Sequence, residues 1–355
     1  MTAPAVMRGR SLSPAAAMSA GAQRPKYGEN SSRPRENHRM LVAGCSTGLT
    51  WAPTLSTGSG GMMCRWLAYL GSPIEIADIL VRPSHSLIDQ SLHARQLYLP
   101  REKLAQGFDD YAFPTNGDGF GMAWAGRQGR LGQYRQIGPA WDSQNLRHLA
   151  AQIESNCIFA HVRAAPGGTI AEQNCHPFVD QGWMFQHNGT VPDFELLKRE
   201  LTFDVDPALY PAILGNADTE VCFYLALTYG LAKDPVAGLT RMIARVEKAR
   251  AEYGITDPFR ATMCASDGHQ MVVLRWVSPD AVDAVAPTLY HADGPTMLVT
   301  DDGEEDRLPE NAQLVVSEPL ELHWSSQTWH EVPSRTIGVL RIGKDPVFAP
   351  IDLDL

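Results

Sequence analysis

The sequence predicts an α+β fold in which helices cover antiparallel sheets. Two observations support this prediction. Short apolar runs typical of buried strands lie on both sides of a central pair of helices, and turn residues separate these runs. The chain has 355 residues, of which 44% are hydrophobic, so it is long enough to bury a large core.

Before residue 190 the chain is predicted to form two helices and three strands. The first helix has Pro73 in its first turn, and the second begins at Asp142, whose side chain is of the kind that caps a helix. The strands are short apolar runs bounded by turn residues. The predicted elements are a helix over 73–81, a strand over 119–124, a helix from 142 to about 155, a strand over 157–163, and a strand over 182–187 that ends at the turn pair Asn188-Gly189.

After residue 200, two helices are expected to be followed by a series of strands. The helices span 218–229 and 235–253, the second with apolar residues at helical spacing. Strands are predicted over 261–265, 271–277, 297–300, 313–317 and 337–342.

Composition argues against several classes of protein. No apolar run approaches the ~18 residues that cross a bilayer, so no membrane span is expected. The net charge of -10 argues against a nucleic-acid partner, because such proteins usually carry a basic face. Six cysteines without a C-x-x-C pair fit neither a disulfide scaffold nor a zinc ribbon. A cytoplasmic location is therefore the default, and no metal or other cofactor is expected.

The first 62 residues differ from the rest of the chain. They hold seven Lys and Arg against two acidic residues, whereas residues 63–355 carry a net charge of -15. They are rich in Ala, Ser, Gly and Pro and show no helical or strand period. We expect residues 1–62 to be disordered, a propeptide or the result of a start site assigned too early. The folded domain is then expected over 63–345, with a short tail over 346–355.

Cys64 is the first candidate catalytic residue. If the mature chain begins immediately after Met63, Cys64 carries a free α-amino group. An α-amine has a pKa of about 7.7–8.0, so near neutral pH it can take the proton from the thiol and return it later. The alternative is a buried and inert cysteine beside Trp66 and Leu67.

Further polar residues lie at the ends of predicted elements. Arg163 ends a strand that also contains His161, and an arginine there can bind a carboxylate through two parallel hydrogen bonds. Asn188 and Gly189 offer an amide and a backbone N–H, which are the donors of an oxyanion hole, although Asn-Gly is also the strongest short hairpin signal. Asp218 opens a helix, where it can cap the helix, bind a substrate ammonium group, or do both.

Five motifs occur in order along the chain, and two more lie nearer its end. They are Met63-Cys64-Arg65-Trp66-Leu67-Ala68-Tyr69-Leu70-Gly71, His161-Val-Arg163-Ala-Ala, Asn174-Cys-His176-Pro-Phe, Phe185-Gln-His187-Asn188-Gly189 and Asp218-Thr-Glu220, then Ser317-Glu-Pro-Leu320 and Trp329-His-Glu-Val-Pro333. Together they resemble class II glutamine amidotransferases, and more narrowly the small stand-alone members that include the ergothioneine-pathway γ-glutamyl amidohydrolase. The resemblance implies that residues 63–345 form the four-layer αββα sandwich of the N-terminal-nucleophile hydrolases.

The resemblance also implies a reaction. Cys64 attacks the side-chain amide of a γ-glutamyl compound and forms a γ-glutamyl thioester, which water hydrolyses to glutamate. The Cys64 amine is the general base. Asn188 and the Gly189 N–H form the oxyanion hole.

The same resemblance assigns the groups that bind the substrate. Arg163 is expected to bind its α-carboxylate and Asp218 its α-ammonium group. His161 and His176 occupy family positions, where they are expected to pack or to form hydrogen bonds behind the site. Relatives commonly have Thr-Gly where this chain has Pro166-Gly-Gly-Thr169, and proline removes a backbone N–H from that loop. The identity of the substrate is therefore less constrained than the reaction chemistry.

The expected partners are glutamine or another γ-glutamyl small molecule and, where ammonia is used, a separate ammonia-accepting synthase subunit. Two alternatives stay open. One is a cysteine hydrolase built on Cys175 and His176, although neighbours in an extended chain point to opposite faces. The other is a catalytically inactive γ-glutamyl-binding or scaffold protein of the same fold.

Overall fold

The computed structural model describes residues 64–95, 115–165, 168–300 and 302–353, and the expectations for residues 1–62 lie outside these ranges. The helices are α1 (Ala77–Leu80), α2 (Leu87–His93), α3 (Gln144–Ala150), α4 (Phe194–Phe203), α5 (Asp218–Thr228) and α6 (Pro235–Glu252). The strands β1 to β15 are, in order, Arg65–Glu75, Gly119–Ala125, Leu131–Gln136, Glu154–Arg163, Phe178–Asp180, Trp183–Thr190, Arg260–Ser266, Gln270–Val277, Tyr290–Asp293, Met297–Val299, Glu305–Arg307, Gln313–Val316, His330–Glu331, Thr336–Arg341 and Val347–Pro350.

Two antiparallel sheets form the centre of the fold. The first has seven strands in the order β13-β9-β12-β1-β4-β2-β3, and the second has six in the order β15-β14-β8-β7-β6-β5. A separate hairpin joins β10 to β11. β15 lies in the segment expected to be a tail, and it pairs with β14.

Alternating side chains divide the apolar core into three layers. Along β1, Trp66 points into the space between the sheets and packs in one cluster with Met184 of β6, whereas Leu67 belongs to the cluster under α1, α2 and α3. On the outer face of the second sheet, Phe185 stacks on Phe223 of α5 with ring centroids 5.3 Å apart. Helices therefore cover both sheets, and the predicted αββα sandwich is confirmed.

The first predicted helix is largely wrong. Residues 73–75 continue β1, and Ile74 pairs with Ser155 of β4. Pro73 falls in a register shift between Leu70 and Ile74, where its missing N–H costs no ladder hydrogen bond. Only Ala77–Leu80 are helical.

The predicted cap of the second helix is also wrong. Asp142 ends a short 3-10 turn, and the Ser143 hydroxyl accepts the Leu146 N–H at 3.2 Å to cap α3. The helix ends at Ala150, well before residue 155, because β4 begins at Glu154. The remaining predicted elements are observed, with ends shifted by at most three residues. No helix in the described ranges is long and apolar enough to cross a membrane.

Candidate active site

Cys64 lies immediately before β1, a central strand of the seven-stranded sheet. Because Arg65 pairs with Val162, the register places Cys64 beside Arg163 at the end of the β1–β4 pair. The Cys64 side chain is partly exposed, and its thiol donates to the carbonyl oxygen of Ala164 at 3.5 Å. The thiol is thus held at an accessible edge of the sandwich.

Three charged side chains act on the Cys64 thiol. Burial raises its pKa above the ordinary value, the guanidinium groups of Arg163 and Arg65 lower it, and the Asp218 carboxylate raises it. The net pKa is raised, so the thiol is protonated near neutral pH. It needs a base before it can act as a nucleophile.

Arg163 is the last residue of β4 and is only 8% exposed. Its guanidinium donates to the carbonyl oxygen of Thr169 at 3.3 Å, which is its one protein acceptor among the residues that the structure describes. The same oxygen accepts a hydrogen bond from the Asn174 amide at 3.1 Å, and the Asn174 Oδ1 accepts the Asn216 N–H at 2.9 Å. Asn174 therefore ties the loop beside Arg163 to the loop before α5. Because the Thr169 carbonyl oxygen uses only one of the guanidinium N–H groups of Arg163, the others stay available for a carboxylate.

Asp218 is the first residue of α5 and Ala217 is its N-cap, so of the alternatives for Asp218 the capping role is not observed. The Asp218 carboxylate turns instead toward the chain after β6. Its Oδ2 accepts the Val191 N–H at 3.0 Å, and its Oδ1 accepts the Thr219 N–H at 2.7 Å and the Thr219 hydroxyl at 3.2 Å. These bonds fix the carboxylate at the junction of β6 and α5.

The second sheet contributes Asn188 and Gly189. They do not form the predicted turn, because they pair with Thr262 and Ala261 of β7 and so continue β6 to Thr190. The Asn188 side chain is buried, and its Oδ1 has no hydrogen-bond partner in the described part of the chain. The Thr262 hydroxyl accepts the Trp66 indole N–H at 3.1 Å, a contact that packs this end of β6 and β7 against β1.

Only glycine fits at position 189. Its φ is +153°, and a Cβ there would collide with the carbonyl oxygen of Arg260. The close approach of the two backbones requires the missing side chain. Position 189 near the end of β6 therefore accepts no side chain.

Three buried histidines lie behind these residues. His176 Nδ1 is 2.8 Å from His161 Nε2, which is also 3.2 Å from the carbonyl oxygen of His187. His187 Nδ1 is in turn 2.9 Å from the Thr219 hydroxyl. Burial lowers the pKa of all three imidazoles, that of His161 to about 3. They are neutral near pH 7 and join β4, β6 and α5 through hydrogen bonds.

The structure gives no support to a nucleophile at Cys175. Its side chain is fully buried, and its thiol donates to the carbonyl oxygens of Gln136 and Ala171. The adjacent His176 imidazole faces His161, so the thiol and imidazole point to different partners. Within the described ranges, no group of three or more His, Cys, Asp or Glu side chains could hold a metal ion.

Three residues that shape the site have no role that the sequence predicts. The Glu220 carboxylate accepts the N–H groups of Leu214 and Gly215 at 2.9 and 2.7 Å, which folds the loop before α5. Arg65 and Glu318 form a buried ion pair next to Cys64. All three residues occur in the motifs, but no local pattern indicates what each of them contacts.

Comparisons with known proteins agree with this geometry. A sequence profile of the glutamine amidotransferases class-II matches residues 107–350. The chain is 32% identical over 303 residues to the probable glutamine amidotransferase DUG3 of Saccharomyces cerevisiae, covering 78% of this chain and 81% of that protein. It is 32% identical over 216 residues to the gamma-glutamyl-hercynylcysteine sulfoxide hydrolase of Mycolicibacterium smegmatis, covering 60% and 79%.

A solved structure shows the same relationship. The glutamine aminotransferase class-II domain protein from Silicibacter pomeroyi superposes with a TM-score of 0.57 at 27% sequence identity, covering 81% of this chain and 100% of that one. Sequence profile, sequence relatives and solved structure agree, and the chain belongs to the class II glutamine amidotransferases.

Proposed function

We propose that the protein cleaves a γ-glutamyl amide through a thioester on Cys64, releasing glutamate and either ammonia or an amine. One observation carries the proposal: the pairing of β1 with β4 places Cys64 beside Arg163, and the charges of Arg163 and Asp218 both act on the pKa of the Cys64 thiol. The α-carbon of a γ-glutamyl compound bears a carboxylate and an ammonium group. A cation and an anion beside one nucleophile match these two groups.

The reaction begins with removal of the thiol proton. The raised pKa of the Cys64 thiol favours a mechanism with a dedicated base, and a free Cys64 α-amine is a base of suitable pKa in the same residue. The thiolate adds to the amide carbon, and the Asn188 amide and Gly189 N–H donate to the resulting oxyanion. The protonated α-amine of Cys64 then gives the proton that it took from the thiol to the leaving nitrogen as the C–N bond breaks. Water then attacks the thioester and releases glutamate.

Two substrate classes are consistent with this chemistry. One named relative is a probable glutamine amidotransferase, and the other is named for hydrolysis of a γ-glutamyl conjugate. We therefore propose either glutamine, with ammonia passed to a separate synthase subunit or released, or a γ-glutamyl conjugate that releases an amine.

The test begins with the intact mass and N-terminal residue of the protein as its own host makes it. Glutamate release is then measured with glutamine and with a panel of γ-glutamyl amides. Acid quenching during turnover should trap a Cys64 peptide heavier by one glutamyl group, and Cys64→Ser should remove that species. A chain that begins at Cys64 and binds a γ-glutamyl ligand without releasing glutamate would favour the inactive alternative and overturn the proposal.

A further inference from the structure

Arg65 connects the backbone of the proposed nucleophile to a buried carboxylate. Arg65 is 2% exposed and Glu318 is 1% exposed. The Arg65 Nε donates to Glu318 Oε1 at 2.5 Å, and its NH1 group donates to the carbonyl oxygen of Cys64 at 3.0 Å. The guanidinium therefore holds Cys64 on one side and is held by Glu318 on the other.

Glu318 has further partners that fix its own position. His85 Nε2 lies 3.1 Å from Glu318 Oε2, and the Arg95 N–H donates to the same oxygen at 2.9 Å. His85 Nδ1 is in turn 2.7 Å from the Asp89 carboxylate. Burial raises the pKa of Glu318, but the Arg65 charge and these hydrogen bonds outweigh it and lower the pKa to about 2. The Glu318 carboxylate is thus a fixed anion across the neutral pH range.

The residue before Glu318 holds the same end of β1. The Ser317 hydroxyl accepts the Trp66 N–H at 3.0 Å, and the Ser317 N–H donates to the Trp66 carbonyl oxygen at 2.9 Å. The Ser317-Glu-Pro-Leu320 motif therefore contacts both residues that follow Cys64. None of the steps of the proposed reaction uses this motif, so its arrangement calls for another explanation.

We propose that Arg65 is a positioning residue for Cys64 and that Glu318 anchors Arg65. This inference rests on the proposed function. When Cys64 is the first residue of the chain, no preceding peptide restrains its α-carbon. The Arg65 bond holds the carbonyl and hence the Cα–C axis, and the thiol bond to Ala164 restrains rotation about that axis. Together the two bonds orient the amine and the thiol toward the substrate.

Arginine suits this task better than lysine. Its planar guanidinium presents N–H groups in a fixed fork, so it can donate to the Glu318 carboxylate and the Cys64 carbonyl at the same time. Hydrogen bonds from an ionised donor are shorter and stronger than neutral ones. The Arg65 charge also acts on the thiol, together with those of Arg163 and Asp218. Removing Arg65 should therefore change both the geometry and the ionisation of Cys64.

The test compares Arg65→Met and Arg65→Lys with the matched control Arg250→Met. Arg250 is 4% exposed and pairs with the buried Glu247 at 2.8 Å, but it lies in the outer helix layer. The control is needed because removing one partner of any buried ion pair is strongly destabilising. For each protein, with its N-terminal residue verified, we would measure the melting temperature, kcat and KM per active site, and the pH dependence of Cys64 alkylation by iodoacetamide, read on the Cys64 peptide by mass spectrometry.

We expect Arg65→Met to lower kcat by about 10²-fold, the size typical of a misplacement near 1 Å, with little change in KM because the proposed function assigns substrate binding to Arg163 and Asp218. Its alkylation midpoint should move to higher pH. Arg65→Lys should keep the midpoint and show an intermediate kcat. Arg250→Met should lower the melting temperature only.

Wild-type kcat and alkylation behaviour in Arg65→Met would overturn the inference, as would equal effects on kcat in Arg65→Met and Arg250→Met. If Arg65→Met does not fold, a folded Arg65→Lys with wild-type kcat overturns it equally. The two proposals fail in different ways. A wild-type protein that begins at Cys64 and hydrolyses no γ-glutamyl amide contradicts the proposed function, whereas the alkylation profile still decides the role of Arg65.

Discussion

The His187 imidazole and the Thr219 hydroxyl lie 2.9 Å apart and join β6 to the first turn of α5. β6 carries Asn188 and Gly189, and the same turn of α5 carries Asp218. The hydrogen bond therefore couples the proposed oxyanion donors to the proposed ammonium site. A shift of α5 relative to β6 would displace both at once.

Cys64→Ala should abolish glutamate release. The Cys64 side chain is partly exposed and its hydrogen bond to the Ala164 carbonyl oxygen is long, so the melting temperature should change little. Cys175→Ala is the matched control, because Cys175 is buried, lies near enough to Cys64 for the two thiols to interact, and is the nucleophile of the alternative cysteine hydrolase. Activity in Cys64→Ala, or its complete loss in a stably folded Cys175→Ala, would contradict the assignment.

Asn188→Ala should lower kcat by about 10²- to 10³-fold, the usual cost of losing one oxyanion donor, and should leave KM nearly unchanged. The matched control is Asn156→Ala, since Asn156 of β4 donates to the Gly268 carbonyl oxygen at 3.1 Å in another part of the sandwich. Steady-state kinetics with γ-glutamyl amides compare kcat and KM of the two variants. A rise in KM with an unchanged kcat would show that Asn188 binds the ground state instead.

Gly189→Ala should lower both the melting temperature and kcat. The new Cβ meets the Arg260 carbonyl oxygen at a φ of +153°, so β6 and β7 must separate and the Gly189 N–H moves. Gly129→Ala is the control, because Gly129 has a φ of +70° but open space around its Cβ position. Backbone strain alone costs on the order of 1–3 kcal/mol, so Gly129→Ala should lose stability without losing activity. Equal kcat in the two variants would argue against a catalytic role for the Gly189 N–H.

Arg163→Lys should act mainly on substrate binding. A lysine keeps the charge but not the planar pair of donors that matches a carboxylate. Hydrogen bonds to charged groups contribute about 1.5–3 kcal/mol, so KM should rise roughly 10- to 10²-fold. The control is Arg135→Lys, since Arg135 donates to the carbonyl oxygens of Gln173 and Cys175 and not to the Thr169 loop oxygen. A lower kcat at constant KM would place Arg163 in the chemical step.

Local sequence patterns identify α3, α5, α6 and eight of the fifteen described strands, but they fail where contacts between distant segments determine the structure. Asn188-Gly189 has the composition of a hairpin turn, yet pairing with β7 keeps both residues in a strand. Pro73 suggests a helix start, but a register shift in β1 accommodates it. The intrinsic preference of a residue for a turn or a helix is outweighed when a neighbouring strand supplies backbone hydrogen bonds and burial.

The candidate site shows the same division. The motifs and their order point to Cys64 and Arg163, because cleavage of a γ-glutamyl amide by a class II glutamine amidotransferase needs a thiol and a cation that binds the substrate carboxylate. The Arg65–Glu318 pair joins residues 253 positions apart, and no local period connects them. Such a contact follows only from the pairing of β12 with β1, which places the segment after Val316 beside the start of β1.

The buried histidines predict a loss of stability in mild acid. The pKa of His161 is about 3 in the folded protein against an ordinary value of 6.5, and burial lowers the pKa of His176 and His187 in the same direction. Below about pH 6.5 the unfolded chain therefore binds more protons than the folded one, and the free energy of unfolding falls as pH falls, by about 1 kcal/mol per pH unit for each such histidine. The stabilising contribution of the neutral His161 is fully present above about pH 6.5 and is lost progressively toward about pH 3.

Urea unfolding between about pH 7.5 and about pH 5 measures this slope. That range avoids the acidic window in which the Glu318 carboxyl, with a pKa of about 2 when folded, contributes its own pH dependence. His161→Gln should make the slope shallower, because glutamine can still donate to the His187 carbonyl oxygen but does not titrate. The exposed His269 provides the control, and His269→Gln should leave the slope as in the wild type. If both variants keep the wild-type slope, His161 is not a buried neutral imidazole, and the packing of β4 against β6 is not as described.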